Sequence, residues 1–330
     1  MRRRTLGSEG PAISTIGLGS WAIGGAWKWG WGEVDDRDSV AAIRRALELG
    51  VNWVDTAPTY GLGHSEEVVA RALEPFAVGE EVYVFTKCGL RFEENREPEE
   101  FFVDLRPEFI REECEGSLRR LGLERIDLYQ LHWPDNSTGT PVEDSWGALV
   151  ELANEGKARW IGVSNFDVEL LERCEAIAHV DSLQPPFNLL DRSAREDVIP
   201  WCREHGTGVI VYSPLGSGLL TGAYDRDRLD ALPPGDWRRS EPAFQEPGVS
   251  ATLTLVERLR PLAARLGVDL AALALAWTLA VPGVTGAIAG ARLPEHVESW
   301  SAASDLDLPP DVLEEIEAAL AETGAAASFG

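Results

Sequence analysis

The chain runs to 330 residues, 44% hydrophobic and 26% charged. At a mean hydropathy of -0.14 it holds ample apolar material for a large core, which excludes disorder and collagen-like repeats. Its formal charge of -25 argues against nucleic acid as a partner, because phosphate binding needs clustered cations, and an anionic ligand would require a local positive pocket.

Arg2, Arg3 and Arg4 give a charged start, but Gly and Pro break residues 5–16 where a signal peptide needs an unbroken apolar run; the chain reads as cytoplasmic. A hairpin is expected at 5–14, pairing 5–6 with 13–14. Short apolar runs then read as buried strands at 16–18, 53–55, 82–86, 126–131, 159–163, 182–184, 208–212 and 284–288. Helical patterns lie between them at 38–49, 67–73, 108–121, 142–154, 168–176, 194–205, 269–280 and 294–301, several closed by glycine. No apolar run reaches the roughly eighteen residues of a membrane span, and the stretch around 270–281 is marked by Trp and Thr. An extra helix at 251–266 and a tail helix near 311–321 complete the pattern. Eight alternations without a mid-chain linker predict one α/β domain over 1–330, a (β/α)8 TIM barrel, with a doubly wound sheet as the alternative on pattern alone. Cys88, Cys114, Cys174 and Cys202 show no CxxC spacing and no neighbouring His cluster, so they read as reduced structural thiols, and no metal site is expected.

In a barrel the strand-to-helix loops build the active face, and here three are long: 20–36, the acidic 89–107, and 213–250. Gly17-Leu18-Gly19-Ser20-Trp21-Ala22 formally fits a dinucleotide fingerprint, but no helix starts at those glycines, so the match is set aside. The strand ends are more informative. The second strand runs into Asp55-Thr56-Ala57-Pro58-Thr59-Tyr60-Gly61, the third ends in Thr86-Lys87, and the fourth in Leu131-His132-Trp133. Asp55, Lys87 and His132 are thus expected at one level, with Tyr60 turned inward by Pro58 and Gly61. Such a group suits carbonyl reduction, in which an oxygen receiving hydride develops alkoxide charge and needs a proton. Tyr60 would supply it, its acidity raised by the Lys87 ammonium that Asp55 holds, while His132 orients the substrate oxygen. Singly, a strand-end Asp is a turn former and a lone His a partial-core residue. Lys87 separates these readings, because a buried ammonium is costly and the chain otherwise has only Lys28 and Lys157.

These residues resemble the aldo-keto reductases, a family of NAD(P)(H)-dependent enzymes on a (β/α)8 barrel. The segment from Asp55 to Gly61 is similar to that family's D-T-A-x-x-Y-G, with Lys87 and His132 at the matching later positions. The run from Gly156 to Phe166 resembles G-K-x-R-x-x-G-V-S-N-F, and Gln184-Pro185-Pro186-Phe187-Asn188 and Tyr212-Ser213-Pro214-Leu215 resemble later segments. The resemblance implies a cofactor map. Ser164, Asn165 and Gln184 would pair with the nicotinamide carboxamide, and Tyr212 would offer a stacking face. Ser213, Leu215 and Ser217 lie in a small-residue run whose backbone N–H groups would approach the pyrophosphate. Without the resemblance, Ser164 and Asn165 read equally well as a helix cap before Asp167.

At the adenosine end Gly290, Arg292 and His296 match the family only in part. Arg292 before a helix start favours NADP(H), with NAD(H) the alternative. Trp21, Trp27 and Trp133 lie near the expected site and suggest a pocket for an apolar or sugar-like carbonyl, a small-molecule substrate. Cys88 should face the far side of its strand. The leading expectation is a carbonyl reductase, compatible with a monomer. The alternatives are a cofactor-binding regulatory subunit with weak or no activity, and a barrel lyase using Lys87 as a Schiff-base amine.

Overall fold

In the computed structural model, residues 1–92 and 101–328 are described. The chain opens with an antiparallel hairpin of β1 (Arg3–Thr5) and β2 (Ala12–Ser14). It continues through β3 (Ile16–Gly19), α1 (Asp36–Glu48), β4 (Trp53–Asp55), α2 (His64–Leu73), β5 (Tyr83–Cys88), β6 (Leu90–Arg91), β7 (Phe102–Val103), α3 (Pro107–Leu121), β8 (Ile126–Leu131) and α4 (Val142–Asn154). Then come β9 (Ala158–Ser164), α5 (Val168–Glu175), β10 (Ser182–Gln184), α6 (Val198–His205), β11 (Gly208–Val211), α7 (Arg226–Asp230), α8 (Gly248–Leu266), α9 (Leu270–Ala280), β12 (Gly286–Gly290), α10 (Pro294–Ser301) and α11 (Pro310–Thr323).

The strands β3, β4, β5, β8, β9, β10, β11 and β12 pair in that order, all parallel, and β12 closes on β3 through Ala287 to Ile16 and its three successors. Closure decides between the two architectures open to the sequence, because a doubly wound sheet has free edges. The fold is a (β/α)8 barrel.

Alternation sends Trp53, Phe85, Leu128, Ile210 and Ile288 into the barrel, where they pack with Leu6 and Ile13 of the N-terminal segment as a dry floor. Gly17 exists for this floor: a Cβ there would lie 2.3 Å from the Trp53 indole. The opposite strand faces meet the helices in the larger core. Among the described residues no single helix is long and apolar enough to cross a membrane, and α9, apolar all round, is buried between α8, α10 and the barrel.

Two expectations change. The helix expected over 194–205 begins only at Val198, capped by the Asp197 side chain, with a separate 3-10 turn at Ser193–Arg195. Pro200 accounts for this: lacking an N–H, it fits the first turn of a helix and not its middle. The loop at 89–107 contains the β6–β7 hairpin, and the middle of that acidic stretch, 93–100, lies outside the described residues. The loop at 213–250 holds α7 and 3-10 turns at Gly216–Thr221, Trp237–Arg239 and Pro242–Phe244.

Behind β5 lies a buried polar seam. Glu66 of α2 accepts hydrogen bonds from Thr86 at 2.7 Å and Arg120 at 2.6 Å. Glu113 of α3 accepts one from the Gly89 N–H at 2.5 Å, two residues beyond Lys87. Burial, with Glu66 and Asp104 adding repulsion, pushes the Glu113 carboxyl up to about 8. Its folded-state value thus exceeds that of an unfolded chain, so folding holds its full stability below the ordinary carboxyl range and loses it as pH rises towards 8. Glu113→Gln, whose amide oxygen still accepts from Gly89, is expected to melt above wild type at pH 9 and by a smaller margin at pH 5.5. Thermal denaturation at both pH values checks this; equal margins would mean that Glu113 is not the titrating group.

Candidate active site

At the C-terminal end of the barrel, β4 delivers Asp55, β5 delivers Lys87, and the residue after β8 is His132, whose N–H continues the ladder to the Cys88 carbonyl at 2.9 Å. Tyr60 sits in the turn after β4, where its N–H bonds the Ala57 carbonyl at 3.1 Å. The four side chains expected from the sequence come together. Lys87 is 1% exposed and its Nζ donates to Asp55 Oδ1 at 2.5 Å, to the Thr56 carbonyl at 3.0 Å and to the Tyr60 hydroxyl at 3.3 Å. All three ammonium protons are met. The second Asp55 oxygen, Oδ2, accepts from Gln184 Nε2 at 2.9 Å. The Tyr60 and His132 rings meet edge to face with centroids 6.0 Å apart.

The electrostatics follow from burial first. Burial works against the Lys87 charge, but Asp55 and Tyr60 outweigh it and hold the ammonium above its usual range. Burial and the Lys87 charge keep the His132 imidazole neutral, far below its ordinary value. For Tyr60 the sequence expectation needs correcting. Lys87 does pull the phenol down, but burial is the larger effect and Asp55 adds to it, so the hydroxyl sits above its ordinary value. Tyr60 is therefore a firmly protonated phenol.

The amides expected around the nicotinamide are tied into the same group. The Ser164 hydroxyl donates to the Gln184 carbonyl at 2.8 Å. Asn165, at φ 64°, donates through Nδ2 to the His132 carbonyl at 3.0 Å and to Ser164 Oγ at 3.0 Å, while its Oδ1 accepts from the Tyr212 hydroxyl at 2.9 Å. The capping role open to Ser164 and Asn165 belongs instead to Asp167, which accepts from the Leu170 N–H. Beyond Tyr212, Ser213, Gly216, Ser217 and Gly218 all have positive φ, 53°, 54°, 52° and 92°, and Leu215 between them accepts from the Gly218 and Leu220 N–H groups. Left-handed residues next to right-handed ones turn successive N–H groups to one side and form a concavity for an anion.

At the end expected to take adenosine, Gly290 is open: a Cβ there would meet only the Gly19 carbonyl, at 4.0 Å. Arg292 donates to the Trp31 carbonyl at 3.3 Å, and its own N–H reaches His296 Nδ1 at 3.3 Å. Burial and then the nearby Arg238 and Arg228 lower the Arg292 guanidinium, so three arginines of this strongly acidic chain converge. Arg238 is fixed by Asp236 and by the Tyr224 hydroxyl at 2.6 Å, and lies 4.6 Å above the Trp31 ring. Sequence reasoning missed Arg228, Arg238 and Tyr224; the only signal was arginine in a Gly/Pro-rich loop.

The tryptophans divide into two groups. Trp21 packs with Trp31 and with Trp237 of the 213–250 loop, at 5.9 and 5.2 Å. Trp27 meets Phe101 edge to face at 5.8 Å, and Phe101 meets Phe92 at 5.5 Å, so the β6–β7 hairpin adds two aromatics that the sequence reading did not name. Trp133 stands 42% exposed beside His132. Cys88 faces outward as expected, its thiol 3.5 Å from the Gln130 carbonyl, and the other three thiols are buried and pushed up to about 12.

The sequence profile of the Aldo/keto reductase family matches residues 15–321. The aldo-keto reductase YhdN of Bacillus subtilis is 38% identical over 302 residues, covering 91% of this chain and 88% of its own. An NADH-specific methylglyoxal reductase of Escherichia coli is 36% identical over 315 residues, covering 93% and 95%. Among solved structures, a glycerol dehydrogenase of Gluconobacter oxydans superposes with a TM-score of 0.86 at 38% identity, covering 98% of this chain and 96% of that one. A closed parallel barrel, the polar group at its C-terminal end and matches along nearly the whole sequence agree: the chain belongs to the aldo/keto reductase family, whose members are nicotinamide-dependent oxidoreductases.

Proposed function

We propose that the protein reduces an aldehyde or ketone with NADPH, Tyr60 donating the proton. The observation that carries the reading is the buried Lys87 ammonium shared between Asp55 and the Tyr60 hydroxyl, beside a neutral His132. The local residues fit the cofactor: the turn with left-handed Ser213, Gly216, Ser217 and Gly218 suits a pyrophosphate, and the arginine cluster is the positive pocket that a chain of charge -25 needs for an anion. Ser164, Asn165, Gln184 and Tyr212 would hold the nicotinamide end, and Gly290, Arg292 and His296 the adenosine end.

Bound NADPH supplies the hydride that the carbonyl carbon receives. The Tyr60 phenol releases its proton to the oxygen as that oxygen becomes an alkoxide. Lys87 stabilises the phenolate left behind, and Asp55 keeps Lys87 charged and in place. Neutral His132 offers an N–H to the same oxygen, fixing its position and sharing the developing charge. Trp27 and Trp133 beside this point, with Trp21 at the rim, would exclude water and receive an apolar substituent.

Tyr60→Phe removes the proton without changing the ring. It is expected to lower kcat about 100-fold or more while the cofactor dissociation constant, read by quenching of tryptophan fluorescence, stays near wild type. Undiminished turnover on a panel of aldehydes, ketones and quinones would overturn the role.

The choice of NADPH over NADH rests on Arg292 and its neighbours, since a guanidinium suits bidentate contact with the 2′-phosphate. Arg292→Ala is expected to weaken NADPH binding by roughly tenfold or more and to leave NADH binding nearly unchanged. Equal NADPH affinity in wild type and variant would refute the assignment.

A further inference from the structure

Gln130 occupies the interior face of β8, two residues before His132, and pairs in register with Lys87 across β5. It is 0% exposed. Its Oε1 accepts from Gln184 Nε2 at 3.4 Å, and that same Nε2 donates to Asp55 Oδ2 at 2.9 Å. The two N–H bonds of one amide are thus divided between Gln130 and the carboxylate. Gln130 Nε2, in contrast, is buried and has no partner among the described residues.

An unmatched amide donor in a barrel core costs stability, and Leu128 one layer below shows that an aliphatic side chain suits this face of β8. Packing therefore gives no reason for an amide at this position. What the amide provides is the acceptor that fixes the Gln184 carboxamide with its nitrogen, rather than its oxygen, against Asp55. Without it the second Gln184 N–H loses its partner and the carboxamide is free to turn.

We infer that Gln130 is a positioning residue for the reduction: through Gln184 it orients the Asp55 carboxylate so that the other carboxylate oxygen grips Lys87 beside Tyr60. Gln130 touches none of the reacting atoms in this scheme, and its effect reaches Tyr60 through three side chains. The inference rests on the reductase reading above.

The test is a double-mutant cycle of Gln130→Leu and Gln184→Leu on the full-length protein, with kcat measured at saturating cofactor and carbonyl. Gln130→Leu is expected to lower kcat about tenfold, a coupling typical of one hydrogen-bonded network, with the carbonyl KM within about twofold of wild type. The variant removes the orphan Gln130 Nε2 but strips one Gln184 N–H of its acceptor, so its melting temperature is expected to stay near that of wild type, whereas a merely structural role would lower it. The double variant should be no slower than Gln184→Leu alone. A Gln130→Leu kcat within about twofold of wild type, or a double variant slowed by the product of the two single effects, would overturn the inference. If Gln130→Leu fails to fold, Gln130→Met, which also lacks the acceptor, is read by the same criteria. The Tyr60→Phe control separates the two levels: a wild type active with the tyrosine and an unimpaired Gln130→Leu reject only the positioning role, whereas a wild type inactive with both cofactors rejects the reductase reading and this one with it.

Discussion

An ammonium ion can be buried only if each of its protons finds an acceptor and one of the acceptors is an anion. Lys87 meets that condition through three groups in one stretch of chain, Asp55, the Thr56 carbonyl and the Tyr60 hydroxyl. The requirement fixes more than the lysine. It sets the turn after β4, because Thr56 must present its carbonyl and Tyr60 its hydroxyl from the far side of the ammonium. It also leaves Asp55 Oδ2 turned towards Gln184 across the barrel, so the ion pair, the side chains of Gln184, Ser164 and Asn165, and His132, held by Asn165 at its carbonyl, form one connected group.

A second constraint is the charge of the chain. With 55 acidic against 30 basic side chains, the long-range field repels an anionic ligand, so attraction has to be local and shielded. Arg238 and Arg292 both lie over the Trp31 ring, at 4.6 and 5.9 Å. An indole ring in contact with both guanidiniums, and Asp236 paired with one of them, offset part of the repulsion between these like charges. The long 213–250 loop brings Arg238 and Trp237 to the β3–α1 loop.

Several features were legible in the sequence for physical reasons. The eight buried strands were visible as apolar runs, and the rarity of lysine made Lys87 conspicuous. Asp55, Tyr60 and His132 followed from the strand ends. Boundaries set by one residue were harder: Pro200 in the first turn of α6 outweighed a helical pattern that extended four residues further back. The β6–β7 hairpin is two residues per strand, too short to leave a periodicity. Gln130 was invisible because, in sequence, a glutamine inside an apolar strand looks like an interruption, and its use depends on Gln184, 54 residues away. The acidity of Tyr60 was misjudged because a neighbouring cation can be placed from sequence, whereas the depth of burial that outweighs it cannot.

The dry floor of the barrel makes the polar layer above it work. Trp53 and Phe85 stand directly beneath Asp55 and Lys87 on the same strand faces, with ring centroids 5.1 Å apart, and Leu6 and Ile13 seal the far end. This side of the polar group is therefore closed by apolar side chains. Each hydrogen bond in the layer acts in a medium of low polarisability, where a charge-assisted contact is stronger and an unmatched donor costs more. The same floor thus raises both the value of the Lys87–Asp55 pair and the cost of the orphan Gln130 nitrogen. The Gln130 oxygen is tied to that pair through the Gln184 amide, which bonds Asp55 with the same nitrogen.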